Sequence, residues 1–173
     1  MKPKIYLDMD GVISNFMKAY YDVEPHIDTP KKFHNMVRDY KIFETLEKMP
    51  NADKLLNLLF NDLDVEVEIL SSLGTWTQEI AELSAVQKSK WLDKHGIVTT
   101  RNFVNSWAEK YKYASPTSIM IDDRHDVIAA FTAAGGVGVQ YIDEEWLVME
   151  KKIRMAVARV NQKLELTNAN LHI

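Results

Sequence analysis

Short apolar segments of strand length alternate with longer helical patterns along nearly the whole chain. The apolar segments are rich in β-branched and aromatic residues, which is typical of buried strands. They comprise residues 5–7, 65–70, 103–104, 118–121 and 137–141. Because parallel strands that follow one another need crossover helices between them, this alternation predicts an α/β fold. We expect a Rossmann-like parallel sheet with helices on both faces.

The segments between the predicted strands have the apolar period of helices. Asn51 is positioned to cap a helix that carries Leu55 and Leu59, and Thr77 is positioned to cap a helix that ends at Gly96. A further apolar stripe in residues 144–164 predicts a long helix near the end of the chain. This helix either packs on the sheet or pairs with a second copy, so the sequence leaves a monomer and a homodimer open.

Residues 14–50 interrupt the alternation. They contain no convincing strand, but they carry several aromatic residues, and Thr29 and Pro30 are typical of a helix start. We interpret residues 14–50 as a small helical cap inserted after the first strand. Residues 1–13 and 51–173 then form the α/β core.

Composition excludes several kinds of site and partner. The 173 residues include no cysteine, so any bound metal needs oxygen or imidazole ligands. The formal net charge is −4 and no basic stripe is present, which argues against a nucleic-acid polymer as partner. No apolar run is long enough to cross a membrane, and the first residues lack the pattern of a secretion signal. We therefore expect a cytoplasmic protein with no membrane partner.

Acidic residues follow two of the predicted strands, at the point where each strand ends. Asp8 and Asp10 come directly after the first strand, and Asp122 and Asp123 follow the fourth. Ligands bind at the carboxyl ends of the strands in open parallel sheets, so both pairs point to one binding crevice. Either pair alone could simply cap the helix that follows. Two pairs at equivalent strand ends are harder to explain as caps.

So many carboxylates in one place require a compensating positive charge. Two carboxylates about 4 Å apart repel each other by roughly 4 kcal/mol at an effective dielectric constant of 20. Hard oxygen ligands in a chain without cysteine favour Mg²⁺, which proteins usually hold through one or two carboxylates and a phosphate. The sequence therefore predicts a magnesium site at this edge of the sheet.

Hydroxyl and ammonium groups complete the predicted site. Ser71 and Ser72 end the second apolar segment and offer hydroxyls and backbone N–H groups to an anionic oxygen. Lys112 lies ten positions before Asp122, where its ammonium could reach a phosphate. Taken singly, Ser71 is more often a turn residue and Lys112 a solvated surface charge. Their order along the chain favours a shared site.

That order resembles the haloacid dehalogenase (HAD) superfamily of phosphohydrolases. The motifs are Asp-x-Asp-Gly-Val from Asp8, the strand that ends at Ser71, then Lys112, then Asp122 with Asp123. Within the superfamily the chain is most similar to the 5′(3′)-deoxyribonucleotidases, which share the Ile-Asp-Asp-Arg form of the last motif and a small helical insertion. Relatives tend to have Thr-Ser-Pro at the second motif, where this chain has Ser-Ser-Leu.

The resemblance implies a covalent mechanism. Asp8 is then the nucleophile that forms an aspartyl-phosphate, and Asp10 is the general acid and base. Related proteins hold Mg²⁺ through residues that match the Asp8 side chain, the Asp10 backbone carbonyl and the Asp122 side chain, with Asp123 acting through water. Ser71, Ser72 and Lys112 would bind the phosphoryl oxygens by the same resemblance, and Phe16 matches an aromatic that stacks on the substrate base.

The function implied is a magnesium-dependent phosphatase that hydrolyses nucleoside monophosphates, with deoxyribonucleotides preferred. A phosphatase of another small phosphate ester, or a phosphotransferase, is the alternative, because the core motifs fix the chemistry but not the leaving group. A phosphoacceptor signalling module also combines acids, a hydroxyl and a lysine around magnesium. Its phosphorylated aspartate ends a middle strand, however, where this chain has Ser71.

Overall fold

The computed structural model describes residues 1–23 and 31–170. Within these residues, five parallel strands form one sheet in the order β3-β2-β1-β4-β5. The strands are β1 (Lys4–Leu7), β2 (Glu66–Ser72), β3 (Arg101–Val104), β4 (Ser118–Asp122) and β5 (Val137–Gln140). The first strand therefore lies at the centre of the sheet, between β2 and β4.

Helices connect the strands. They are α1 (Phe16–Val23), α2 (Lys32–Arg38), α3 (Ala52–Asn57), α4 (Gln78–Lys94), α5 (His125–Ala133) and α6 (Trp146–Asn170). A wider turn, Leu58–Asp62, extends α3, and 3₁₀ turns form at Ile42–Glu44, Trp107–Tyr113 and Asp143–Glu145. In the described part of the chain, no helix combines the length and the apolar character needed to cross a membrane.

Both faces of the sheet are buried. Ile5 and Leu7 of β1 face one apolar cluster, which includes side chains of α4 and α6, while Tyr6 packs with the other cluster, which includes Phe131 of α5. This alternation follows from the period of two in a strand, and burial on both faces explains the continuous apolar runs of the sequence. The predicted α/β fold with a parallel sheet is confirmed.

Three local expectations differ from the structure. Thr77 precedes α4 as predicted, but its side chain makes no capping hydrogen bond. Asn51 precedes α3 as predicted, but its side-chain amide donates to the Asp143 backbone carbonyl at 2.7 Å and does not cap the helix. Ser71 and Ser72 belong to β2 itself, since β2 pairs with β3 as far as Ser72 and Val104. The predicted helix start at Thr29 and Pro30 lies outside the described residues.

The inserted segment packs on α4 through buried polar contacts. The side-chain amide of Gln87 donates to the Val37 carbonyl at 2.8 Å, and the indole N–H of Trp91 donates to the Leu46 carbonyl at 2.7 Å. Trp91 itself is fully buried in the main core. These contacts hold residues of the insertion against the helix that follows β2. The division into a core of 1–13 and 51–173 and a cap of 14–50 stays a prediction.

Trp91→Ala should lower the free energy of unfolding by about 3 to 5 kcal/mol, the range for a large aromatic side chain removed from a core. The change leaves a cavity and also removes the hydrogen bond to Leu46. Urea denaturation measures the loss. The matched control is Trp76→Ala, because Trp76 is exposed and its loss should change stability by about 0.5 kcal/mol or less. A similar effect of both substitutions would contradict the role given to Trp91.

Candidate active site

The carboxyl ends of the three central strands meet at one edge of the sheet. β1 and β4 pair in register, with Leu7 opposite Ile121, and the pairing continues as the Asp8 N–H donates to the Ile121 carbonyl at 3.0 Å. Asp8 therefore lies beside Asp122, the last residue of β4. On the other side Leu7 is opposite Ile69, so that the end of β2 approaches the same edge.

Three carboxylates form a tight cluster at this edge. One oxygen from each of Asp8, Asp122 and Asp123 lies within 4.8 Å of the other two. The side chains of Asp8 and Asp122 are almost fully buried, at 6% and 0% exposure. The structure therefore brings together three of the four acids predicted at the strand ends, and the fourth, Asp10, is not in the cluster.

Burial raises the pKa values of two of these acids. The pKa of Asp122 rises to about 7, because its carboxylate is buried and because the Asp8 carboxylate lies next to it. Asp123 is the more exposed residue, and its pKa rises to about 6 because its carboxylate is partly withdrawn from water and because Asp8 lies nearby. Both shifts favour the protonated form of the acid.

One buried ammonium lies against the cluster, and it belongs to Lys110. Its Nζ is 2.9 Å from Asp8 Oδ1 and 2.7 Å from Asp122 Oδ2. Burial lowers the pKa of Lys110, but the charges of Asp8 and Asp122 raise it by more, so the net shift is upward and the side chain stays an ammonium. Asp8 Oδ1 is buried and accepts no well-aligned hydrogen bond despite this contact.

Lys112 does not occupy the position predicted for it. Its side chain is 56% exposed, and its Nζ pairs with Glu109 at 2.7 Å. The two lysines lie two residues apart on the 3₁₀ turn Trp107–Tyr113 and so point in different directions. Ser106 starts that turn by accepting from the Ala108 N–H. Lys110 therefore replaces Lys112 in the cluster, twelve positions before Asp122.

Asp10 does not belong to the cluster of three acids. Its Oδ2 is 2.5 Å from Lys88 Nζ, and its Oδ1 accepts from the Ser14 hydroxyl at 3.1 Å. The side chain keeps 26% of its surface exposed and lines the cavity described below. Asp10 thus lies next to the cluster in the chain but has its own partners.

Lys88 is a buried residue of the site that the sequence analysis missed. It lies in α4, with no side-chain exposure, and also donates to Ser71 Oγ at 2.9 Å. The helical spacing indicates its burial, because Lys88 lies on the same side of α4 as the buried residues Ile80, Ser84 and Trp91. A lysine on the apolar side of a helix needs a partner inside the protein.

The two serines have different positions. Ser71 is fully buried beneath the site and contacts Lys88. Ser72 lines the cavity, and its hydroxyl accepts from the Gly74 N–H at 3.1 Å. Ser72 is therefore the closer of the two to a bound ligand.

A cavity of about 260 Å³ opens over the acids. Its polar side includes Asp8, Asp10 and Asp123 near strand ends and Lys110 of the 3₁₀ turn Trp107–Tyr113. Its apolar side is formed by the aromatic and aliphatic side chains of Phe16, Met17, Phe33, Phe43 and Trp107. A larger cleft of about 450 Å³ beside His95 is lined by none of the predicted site residues.

The aromatic side of the cavity comes mostly from the insertion. The rings of Phe16 and Phe43 stack with centroids 5.5 Å apart, and Phe33 meets Phe43 edge-on at 6.2 Å. Also in the cavity lining, the Arg124 guanidinium lies 4.1 Å over the Trp107 ring. Phe16 thus lines the cavity as part of an aromatic group, and its contact with a substrate stays a prediction.

Gly11 allows the first motif to approach the last. Its φ is +79°, and a Cβ at this position would overlap the Asp123 carboxylate. Only glycine combines that backbone conformation with the required space. The glycine of the Asp-x-Asp-Gly motif is therefore required by the close approach of Asp123.

Several solved structures have a similar fold, although no protein-family model and no curated protein sequence matches the chain significantly. A HAD family enzyme from Bacteroides thetaiotaomicron, a mutant in complex with magnesium and inorganic phosphate, superposes with a TM-score of 0.50 and 14% identity, covering 84% of this chain and 96% of that chain. The chain shares the fold of this enzyme.

Two further solved structures superpose less closely. D,D-heptose 1,7-bisphosphate phosphatase from Burkholderia thailandensis has a TM-score of 0.45 and 14% identity, over 78% of this chain and 75% of that chain. A hydrolase from Streptococcus pneumoniae has a TM-score of 0.47 and 16% identity, over 83% of this chain and 95% of that chain.

Asp122→Asn should stabilise the metal-free protein at alkaline pH. The pKa of Asp122 is raised from its ordinary 3.8 to about 7, so the stability that its protonated form contributes is lost as the pH rises through that range. In EDTA, urea denaturation should show a gain on the order of 2 kcal/mol at about pH 8, which shrinks toward about pH 5.

The control for this measurement is Asp64→Asn. Asp64 is exposed, pairs with Lys2 and does not belong to the acidic cluster. The control variant should show no such trend with pH. A gain for Asp122→Asn that is equal at both pH values would contradict the shifted titration.

Proposed function

We propose that this chain is a magnesium-dependent phosphatase of the HAD superfamily, which hydrolyses small phosphate monoesters through an aspartyl-phosphate on Asp8. The observation that carries the proposal is the surroundings of Asp8. This carboxylate lines a cavity, lies within a three-acid cluster and contacts the Lys110 ammonium. A nucleophile that attacks an anion needs this compensation of charge.

The residues of the cluster fit a magnesium ion. All three groups offer hard oxygen ligands, and the buried Asp8 Oδ1 accepts no hydrogen bond. Asp8, Asp122 and Asp123 would hold the ion through their side chains, which gives Asp123 a closer position than the water-mediated one implied by the resemblance. When bound, the cation would neutralise charge on the phosphoryl oxygens and on the attacking carboxylate.

In the first step the Asp8 carboxylate attacks phosphorus, and the bond from phosphorus to the ester oxygen breaks. The departing oxygen takes its electron pair and receives the proton of the Asp10 carboxyl. Lys110 lines the cavity beside Asp8, where its ammonium would stabilise the phosphoryl oxygens. Ser72 also lines the cavity and would bind the same oxygens.

In the second step a water molecule attacks the phosphorus of the aspartyl-phosphate. Asp10, now a carboxylate, takes a proton from that water, and the bond from phosphorus to the Asp8 oxygen breaks. Inorganic phosphate leaves and both aspartates return to their initial states. A covalent intermediate divides one difficult hydrolysis into two displacements.

The aromatic side of the cavity supports a nucleoside monophosphate as the substrate. Phe16, Phe43 and Trp107 offer flat apolar surfaces to a planar base, and stacking of a base on an aromatic ring contributes about 1 to 3 kcal/mol. The cavity of about 260 Å³ suits a small molecule better than a polymer. We propose deoxyribonucleotides as the preferred class and the cytoplasm as the place of action.

Mg²⁺ should stabilise the parent protein against heat, because a ligand that binds only the folded state shifts the unfolding equilibrium. At a concentration about 100 times the dissociation constant, the gain is about 2.7 kcal/mol. Asp122→Asn should lose most of this magnesium-dependent rise in Tm, whereas Asp64→Asn should keep it. An equal rise in Asp122→Asn and in the parent would contradict the assigned ligands.

Asp8→Asn should reduce phosphate release by ~10³-fold or more, because the amide cannot serve as the nucleophile. The assay measures inorganic phosphate from deoxynucleoside, ribonucleoside and hexose monophosphates with Mg²⁺. Asp64→Asn again serves as the control and should match the parent. Hydrolysis by Asp8→Asn at the parental rate would overturn the covalent mechanism. Faster hydrolysis of hexose phosphates than of every nucleotide would overturn only the nucleotide assignment.

A further inference from the structure

Lys88 is an ammonium enclosed by the protein. It lies in the middle of α4, and its side chain has no exposed surface. A buried ammonium is costly unless charged or polar partners surround it. Its Nζ is 2.5 Å from Asp10 Oδ2, 2.9 Å from Ser71 Oγ and 4.4 Å from the centre of the Phe43 ring. These contacts give Lys88 the partners that its burial requires.

The contacts fix Asp10 from both sides. Lys88 holds Oδ2, and the buried hydroxyl of Ser14 donates to Oδ1 at 3.1 Å. The terminal torsion of an aspartate is broad when nothing restrains it. With both oxygens held, the Asp10 carboxyl keeps one orientation while part of its surface still faces the cavity.

The two buried lysines serve different acids. Lys110 contacts Asp8 and Asp122 and lines the cavity. Lys88 contacts Asp10 and is not among the described residues that line the cavity. Lys88 therefore reaches a substrate only through the residues that it contacts, of which Asp10 and Phe43 line the cavity.

We propose that Lys88 is a positioning residue that orients the Asp10 carboxyl toward the leaving oxygen of the substrate. This inference rests on the proposed phosphatase function, in which Asp10 gives its proton to that oxygen as the ester bond to phosphorus breaks. Lys88 itself exchanges no proton with the substrate. A purely structural ion pair would have the same contacts, so the test needs a readout that distinguishes the two roles.

The leaving group provides that readout. An alkoxide, such as the sugar oxygen of a nucleotide, is a strong base and needs a proton to depart. A nitrophenolate is a weak base and departs as the anion. Misplacement of Asp10 should therefore slow the release of an alcohol much more than the release of nitrophenol. Damage to the fold or to the phosphoryl contacts would slow both.

The experiment compares Lys88→Met, which keeps the length and volume of the side chain, with the parent. We expect kcat/KM for a nucleoside monophosphate to fall on the order of 10²-fold and kcat/KM for p-nitrophenyl phosphate to change only several-fold. The parameter kcat/KM is used because it reports the steps up to departure of the leaving group. Lys90→Met is the matched control, since Lys90 of the same helix is exposed and pairs with Glu44 at 2.9 Å.

A chemical rescue separates positioning from packing. The chain has no cysteine, so Lys88→Cys introduces a single thiol. Reaction with bromoethylamine in urea, followed by refolding, converts it to an ammonium side chain of nearly the length of lysine. This product should recover the hydrolysis of the nucleotide. Should Lys88→Met fail to fold by circular dichroism, Lys88→Gln replaces it in the same comparison.

An equal fall for both esters, or no fall for either, would overturn the positioning role. Recovery of neither ester after aminoethylation of a refolded protein would also count against it. Failure of the proposed function has a different signature, because the parent would then release no phosphate from any ester and Asp8→Asn would have no effect to measure.

Discussion

The structure is organised around the meeting of several carboxylates at the ends of two adjacent strands. Because β1 and β4 pair in parallel register, Asp8 and Asp122 are buried side by side, and Asp123 follows directly. The Lys110 ammonium compensates part of this charge. Removal from water, followed by the nearby Asp8 charge, raises the pKa values of Asp122 and Asp123 despite this ammonium.

The positive charges of the site are divided between two helical segments. Lys110 comes from the 3₁₀ turn after β3 and serves the acids that would bind metal and phosphate. Lys88 comes from α4 and serves Asp10. This division keeps two chemical tasks apart.

The sheet and its acids were predictable because their signals are local. Apolar runs indicated the strands, and Asp8, Asp122 and Asp123 directly follow or end their strands. The two site lysines could not be predicted in the same way, because their positions depend on which side of a helical turn faces the site. The spacing before Asp122 favoured Lys112, whereas the packing of Trp107–Tyr113 places Lys110 against the acids. Asn51 shows the same limit, because its partner Asp143 is distant in the chain.

Helix α4 links the aromatic side of the cavity to the acids. Gln87, Lys88 and Trp91 all contact the insertion, through the Val37 carbonyl, the Phe43 ring and the Leu46 carbonyl. Phe43 in turn stacks on Phe16. The aromatic side of the cavity is therefore held by the same helix that contacts Asp10. Because Lys88 of α4 contacts both the Phe43 ring and the Asp10 carboxyl, this helix links the positions of the two groups.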